Sequence, residues 1–162
     1  RLDGSEFLSG LLHDIGKLIM DQYFPNEIKK IMEMMEQNNI GFCDAENELY
    51  DINHSEIGAI LLEKWNLPEN VIYAVRYHHA PELAKRYRDT VCLISLASEF
   101  DRIWSEGGFD KARRFVLTDT PAWKIICELY PQATKLDIEK FTFDLSQEIL
   151  KAKELIHINK NG

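Results

Sequence analysis

Apolar residues recur at helical spacing along nearly the whole chain, and alternating strand patterns are scarce. The first helix is predicted from about Ser5 to Tyr23, ending before Pro25. Its Phe7, Leu8, Leu11, Leu12, Ile15, Leu18 and Ile19 make the wide apolar stripe of a buried helix. A second is predicted from about Asn26 to Gln37, stopping at the Asn38-Asn39-Ile40-Gly41 C-terminal signal, and a short one over Cys43 to Tyr50. Asn53, with Glu56 three residues on, is close to a capping box and opens a helix to Trp65. Pro68 suits the first turn of the next helix, which reaches the double histidine and halts before Pro81. Asp89 or Thr90 starts a long helix through Trp104, terminated by Gly107-Gly108, with another short helix over Asp110 to about Val116. Thr120-Pro121 reads as cap and first residue of a helix ending before Pro131, and Asp137 opens a last amphipathic helix to about Ile156. The expected fold class is all-α, a helical bundle.

Composition narrows the function classes. At 162 residues, 45% apolar and 28% charged, the chain suits one domain able to build a core without disulfides or structural metal. Nineteen basic against 27 acidic residues give a net charge of −8, so nucleic acid is not an expected partner. Cys43, Cys92 and Cys127 are odd in number and widely spaced, which suits free thiols in a cytoplasmic protein. No apolar run approaches the ~20 residues of a membrane span, and no signal peptide is visible. Because Arg1-Leu2-Asp3-Gly4 leads almost at once into a core-type helix, upstream helices are expected to be missing.

Candidate chemistry concentrates in three short segments. His13-Asp14 lies in LLHDIGK, His54 in HSEIG and His78-His79 in YHHAP. Carboxylates and imidazoles together hold a hard or borderline cation that can polarise phosphate and activate water. On one continuous helix, His13 and Asp14 would point about 100° apart and grip an ion over the helix edge. Gly16 lets something approach closely on the same side, and Lys17, one turn after His13, could meet a phosphate oxygen. His54 starts its helix, where the N-terminal dipole helps keep the ring neutral, and Gly58 leaves room one turn later. His78-His79 ends a helix, where the dipole favours imidazolium; paired histidines hydrogen-bonded in the bundle are the competing reading there.

These segments resemble the HDOD family, the bacterial HD-related output domain of the HD superfamily. The resemblance rests on GLLHDIGKL followed by HSEIGAILLEKWNLPENVIYAVRYHHAP, with His54/Gly58, Trp65/Leu67/Pro68 and His78/His79/Pro81 in order. It runs from about Phe7 to Ile103 and loosely beyond. It implies a single helical domain of the HD type over 1–162, with 1–105 its best-matched core and 106–162 adding C-terminal helices. It also implies a bacterial signal-transduction module that works through protein contacts with signalling partners, with catalysis lost in many members. From the related HD-GYP phosphodiesterases, the resemblance carries metal ligation to His13, Asp14, His54, His78 and His79, and a phosphate-orienting role to Lys17. Iron, manganese or zinc is the implied cofactor.

Three departures bear on activity. Ala80-Pro81 follow the double histidine where those enzymes carry Gly-Tyr-Pro, Ser98 stands where they have a ligating Asp, and their early histidine has no counterpart. Glu99 or Asp101 could substitute only with a shifted helix register. The leading expectation is therefore a non-catalytic regulatory module with a partly retained metal or ligand pocket. A metal-dependent phosphohydrolase acting on a nucleotide or phosphodiester is the second, and a metal- or redox-responsive sensor the third. Elsewhere, Met32, Met34 and Met35 suit core packing or a soft docking face, and Trp65 a core anchor. One of Trp104 and Trp123 could be an exposed partner contact. The stripe Ile138, Phe141, Leu145, Ile149, Ala152 and Ile156 suits packing against the bundle, with a dimerisation helix the alternative.

Overall fold

Proline and left-handed residues punctuate this chain, and they set where several of its helices end. The computed structural model describes residues 4–114 and 117–158, with side chains outside 104–114 and 152–158. The helices are α1 Ser5–Leu12, α2 Ile15–Tyr23, α3 Pro25–Asn38, α4 Phe42–Tyr50, α5 His54–Lys64, α6 Glu69–Tyr77, α7 Arg88–Arg114, α8 Pro121–Leu129 and α9 Ile138–Ile158. Short 3₁₀ turns at Pro81–Leu83, Leu117–Asp119 and Pro131–Lys135 link the later ones. No strand occurs among the described residues. The fold is all-α. Asn39 and Asp51 close α3 and α4 in the left-handed conformation that Asn and Asp tolerate, and Pro25 occupies the first turn of α3.

Two predicted boundaries fail. The helix expected over Ser5–Tyr23 breaks at His13-Asp14, where Asp14 (φ −102°, ψ 13°) leaves the helical region and Lys17 N–H restarts the ladder on the Asp14 carbonyl at 2.9 Å. The apolar spacing runs straight through the break, so periodicity could not show it. The helix from Arg88 runs through Gly107-Gly108 to Arg114, absorbing most of the short helix expected from Asp110; Val116 lies outside the described residues. Glycine costs a helix about 1 kcal/mol, which lowers its stability without forcing a stop.

Helix α2 packs on α5, α5 on α6, α6 on α7 and α7 on α8, while α1 leans on α6 and α7, and α3 on α2 and α4. The α2–α5 crossing is unusually close. A Cβ added to Gly16 would lie 1.9 Å from the His54 carbonyl oxygen, and one added to Gly58 would meet Ile15, Val75 and the Gly16 nitrogen at 3.1–3.3 Å. Two glycines thus let backbone rest on backbone, bringing the start of α5 against the His13-Asp14 turn.

Beneath this crossing, Leu62, Val71 and Val75 form a buried cluster covered by Leu8, Leu12, Ile15, Leu67 and Ile72. Met20, Ile31 and Ala45 form another, which includes Met34 and Met35 in its margin; Met32 is exposed. In the C-terminal half, Phe100, Leu117, Trp123 and Ala133 pack together with Ile138 and Leu145 against them. Trp123 is therefore a core residue; the side chains of Trp104, Ala152 and Ile156 lie outside those described.

Exposure corrects two more expectations. Phe7 and Leu11 are 79% and 69% exposed, because α1 seats only its Leu8 and Leu12 edge on the cluster; Leu18, on α2, is 67% exposed. Trp65 is 56% exposed instead of anchoring the core. Asn66 adopts a left-handed conformation (φ 54°), and the chain turns so that Leu67 fills the inward place.

Candidate metal centre

Each histidine of the site is set by local helix chemistry. His13 and His78 follow the last residues of α1 and α6, where helical carbonyls lack partners. Each ring folds back so that Nδ1–H donates to the carbonyl three residues earlier, His13 to Gly10 at 2.7 Å and His78 to Val75 at 2.8 Å. His54 is the first residue of α5 because Asn53 caps it: Asn53 Oδ1 accepts from the Ser55 and Glu56 N–H groups at 3.0 and 3.2 Å. Its Nδ1–H donates to the Glu46 carboxylate at 2.5 Å. All three rings therefore spend Nδ1 on the protein and leave Nε2 for something else.

Those Nε2 atoms converge on Asp14. His54 Nε2 and His78 Nε2 lie 3.2 and 3.8 Å from Asp14 Oδ1, His13 Nε2 lies 3.4 Å from Oδ2, and His79 Nε2 is 3.0 Å from His54 Nε2. One ligand atom each from Asp14, His54, His78 and His79 falls within 4.8 Å of all the others. A cation about 2.1 Å from its ligands accepts separations up to about 4.2 Å, so small side-chain shifts would close this quartet around one ion. His13 stands beside it, its ring edge-on to His78 with centroids 5.1 Å apart. Two atoms of the quartet, Asp14 Oδ1 and His78 Nε2, are buried without a hydrogen-bond partner. A buried carboxylate oxygen and a buried imidazole lone pair facing each other are mutually repulsive unless something positive lies between them. The residues fit a cation.

Electrostatics point the same way. Burial pushes the Asp14 carboxyl up, but His54 and Lys17 contacts and the charge of His13 override it and hold it well below the usual carboxylate range. Burial disfavours imidazolium at His54, yet Asp14 and Glu46 on either side raise its pKa. Burial and the neighbouring His79 push His78 far down. His79 falls to about 4 through desolvation and the charges of His54 and Lys17. The site thus holds one firm anion and two imidazoles kept neutral, as metal ligation requires, while His54 must give up its Nε2 proton to an ion.

The quartet opens onto a cleft of about 970 Å³. Lys17 reaches in, its Nζ 2.8 Å from Asp14 Oδ2 and 5.5 Å from the centre of the Phe42 ring, and Arg76 and Arg102 line the wall. Ser98, Glu99 and Asp101 of α7 also line it, but none joins the quartet, and Glu99 is paired with Arg102 at 2.8 Å. The register shift that would recruit an α7 carboxylate is not seen. Sequence reasoning missed Glu46 and Phe42. Both lie on α4, which carried no motif, and a buried glutamate eight residues before His54 has no spacing that marks it.

The sequence model of the HDOD domain matches residues 3–81, which contain the whole quartet. Residues 3–81 form an HDOD domain. An uncharacterized protein of Treponema pallidum (strain Nichols) is 32% identical over 98 residues, or 60% of this chain and 19% of that protein. Among solved structures, an HDOD domain protein of unknown function from Geobacter sulfurreducens superposes with a TM-score of 0.74 at 24% identity, covering 90% of this chain and 50% of that one. A provisionally assigned phosphohydrolase from Shewanella amazonensis SB2B gives 0.62 at 19% identity, covering 88% and 49%. At these identities the two structures establish the HDOD helical fold beyond residue 81. The chain spans about a fifth of the curated relative and half of each solved chain.

Proposed function

We propose that this chain is a signal-transduction module whose HDOD domain holds one divalent cation and acts through contacts with signalling proteins, without catalysing a reaction. One observation carries the metal: Asp14, His54, His78 and His79 converge within 4.8 Å, with two buried atoms left unpartnered at their centre. Iron, manganese and zinc all accept such a nitrogen-rich set with one carboxylate. Asp14 and His54 approach from α2 and α5, and His78 and His79 from the end of α6, so an ion would tie three helices together. A cation bound there would polarise any oxygen that reached it. A regulatory role is supported by Ser98, which stands on α7 where the related enzymes have a ligating Asp, while Glu99 and Asp101 line the cleft outside the quartet. Three unpaired cysteines, and no helix among the described residues long and apolar enough to cross a membrane, fit a cytoplasmic setting.

A second reading, a metal-dependent phosphohydrolase, is favoured by Lys17, whose ammonium projects into an open cleft beside the quartet. There Asp14 and the histidines would hold the ion and Lys17 would orient a phosphate oxygen. Elemental analysis of protein purified without chelators, together with turnover of an aryl phosphodiester, separates the two. Near one metal per chain, lost in Asp14→Ala, without turnover supports the regulatory module. Metal-dependent turnover replaces it with the enzyme, and metal-free folded protein sinks both.

A further inference from the structure

The Glu46 side chain is fully buried, an uncommon place for a carboxylate without a cationic partner. Both of its oxygens are spent on a single residue: Oε1 accepts from the His54 backbone N–H at 3.0 Å and Oε2 from His54 Nδ1–H at 2.5 Å. The first bond satisfies one of the free N–H groups at the start of α5, and the second fixes the ring's rotation and tautomer together. The Phe42 ring, on the same helix as Glu46, meets His54 edge-on with centroids 5.9 Å apart and closes another side. His54 thus cannot turn Nε2 away from Asp14 without breaking a buried, charge-assisted hydrogen bond.

We infer that Glu46 is the positioning residue of the metal centre, presenting His54 Nε2 to the ion and joining the α3–α4 hairpin to the site. This rests on the metal-binding reading above. Helix α4 packs on α3, so His54 is held through Glu46 by a part of the molecule that supplies no ligand of its own. An ion that pulls on His54 would load that bond, and α4 with it. A glutamine at position 46 keeps the shape but replaces one acceptor with an amide donor, so either a His54 bond is lost or the ring takes the other tautomer and puts its proton on Nε2, the atom the ion needs.

Cobalt(II) titration of the full chain, followed by visible absorption, tests the assignment. Outer carboxylates of this kind typically change metal affinity 10–100-fold, so Glu46→Gln is expected to bind at least tenfold more weakly with altered ligand-field bands. Metal-protected amides in α4 should lose that protection in the variant. Wild-type affinity and bands in folded Glu46→Gln would overturn the inference and leave the metal centre standing. A wild-type protein that binds no cobalt would overturn both. Independently of any variant, imidazole ¹⁵N spectra of zinc-loaded wild type should show His54 protonated at Nδ1; protonation at Nε2 contradicts the assignment.

Discussion

The two halves of this molecule solve different problems with the same helices. Around α2, α5 and α6, the contacts are backbone on backbone at Gly16 and Gly58, and the buried groups include His54, His78, Ser55 and Glu46. Around α7 and α8 the buried contacts are mainly apolar: Phe100, Leu117, Trp123 and Ala133 in one cluster, Cys92, Ala122 and Ile125 in another. The second half stabilises by removing carbon from water, a term indifferent to ring orientation. The first half accepts the cost of burying polar groups and must therefore fix every donor and acceptor. Convergent imidazoles belong to the half where small residues allow helices to touch.

Gly16→Ala should break this contrast most severely. Its Cβ would overlap the His54 carbonyl at 1.9 Å, and backbone cannot step aside as a side-chain tip can. Overpacking of this sort costs typically 1–3 kcal/mol and occasionally more, and here we expect about 3 kcal/mol or more by urea denaturation, with metal binding lost. Trp123→Ala should cost about as much, ~3 kcal/mol, by opening a cavity in the C-terminal core. In the fraction that remains folded, its metal affinity should match wild type. If Trp123→Ala abolished metal binding in folded protein, the two halves would not be separable.

Helix caps sharpen the contrast at smaller cost. Asn53 caps α5 and Thr120 caps α8, the latter accepting from Trp123 N–H at 3.1 Å. Each change to alanine should lower stability by about 1 kcal/mol. Only Asn53→Ala should also weaken metal binding, because only that cap sets the start of a helix carrying a ligand. Equal metal affinity in the two variants would show that His54 is positioned without help from its cap.

Acidification reports on the buried histidines of the site. His79 is held down to about 4 in the fold against about 6.5 in an unfolded chain, and His78 is also lowered. Their preference for the neutral ring is worth most above pH 6.5 and is lost as pH falls from there towards 4, whereas His54, raised, shifts stability the opposite way. The His54 contribution is already in place below pH 6.5 and is lost only as pH rises through its folded pKa, so the lowered pair decides the sign and metal-free protein should lose stability across that window. His79→Gln should flatten the loss, measured as denaturation midpoints at pH 7 and 5.

The helical class, the α5 and α8 caps and the approach of Gly16 to a neighbour were all legible in the residues, because each is a local rule with a local signature. The break at His13-Asp14 was not. Apolar spacing is continuous from Leu8 to Ile19, and the turn shows only in contacts with other parts of the chain, where Asp14 meets Lys17 and faces His54. Phe7, Leu11 and Leu18 looked like core for the same reason: a continuous stripe does not say which edge of it meets a partner. Glu46 was invisible because its meaning lies entirely in a contact with a residue on another helix. The ligand candidates could be named from motifs, but the shared orientation of three Nδ1 atoms exists only once the helices are packed.

Everything proposed for this site depends on a single ion among Asp14, His54, His78 and His79. Crystals of the protein grown with zinc(II), measured at the zinc absorption edge, test it most directly. One strong anomalous peak per chain is expected, about 2.1 Å from three histidine Nε2 atoms and an Asp14 oxygen. No peak there, or one seated elsewhere on the molecule, would contradict it.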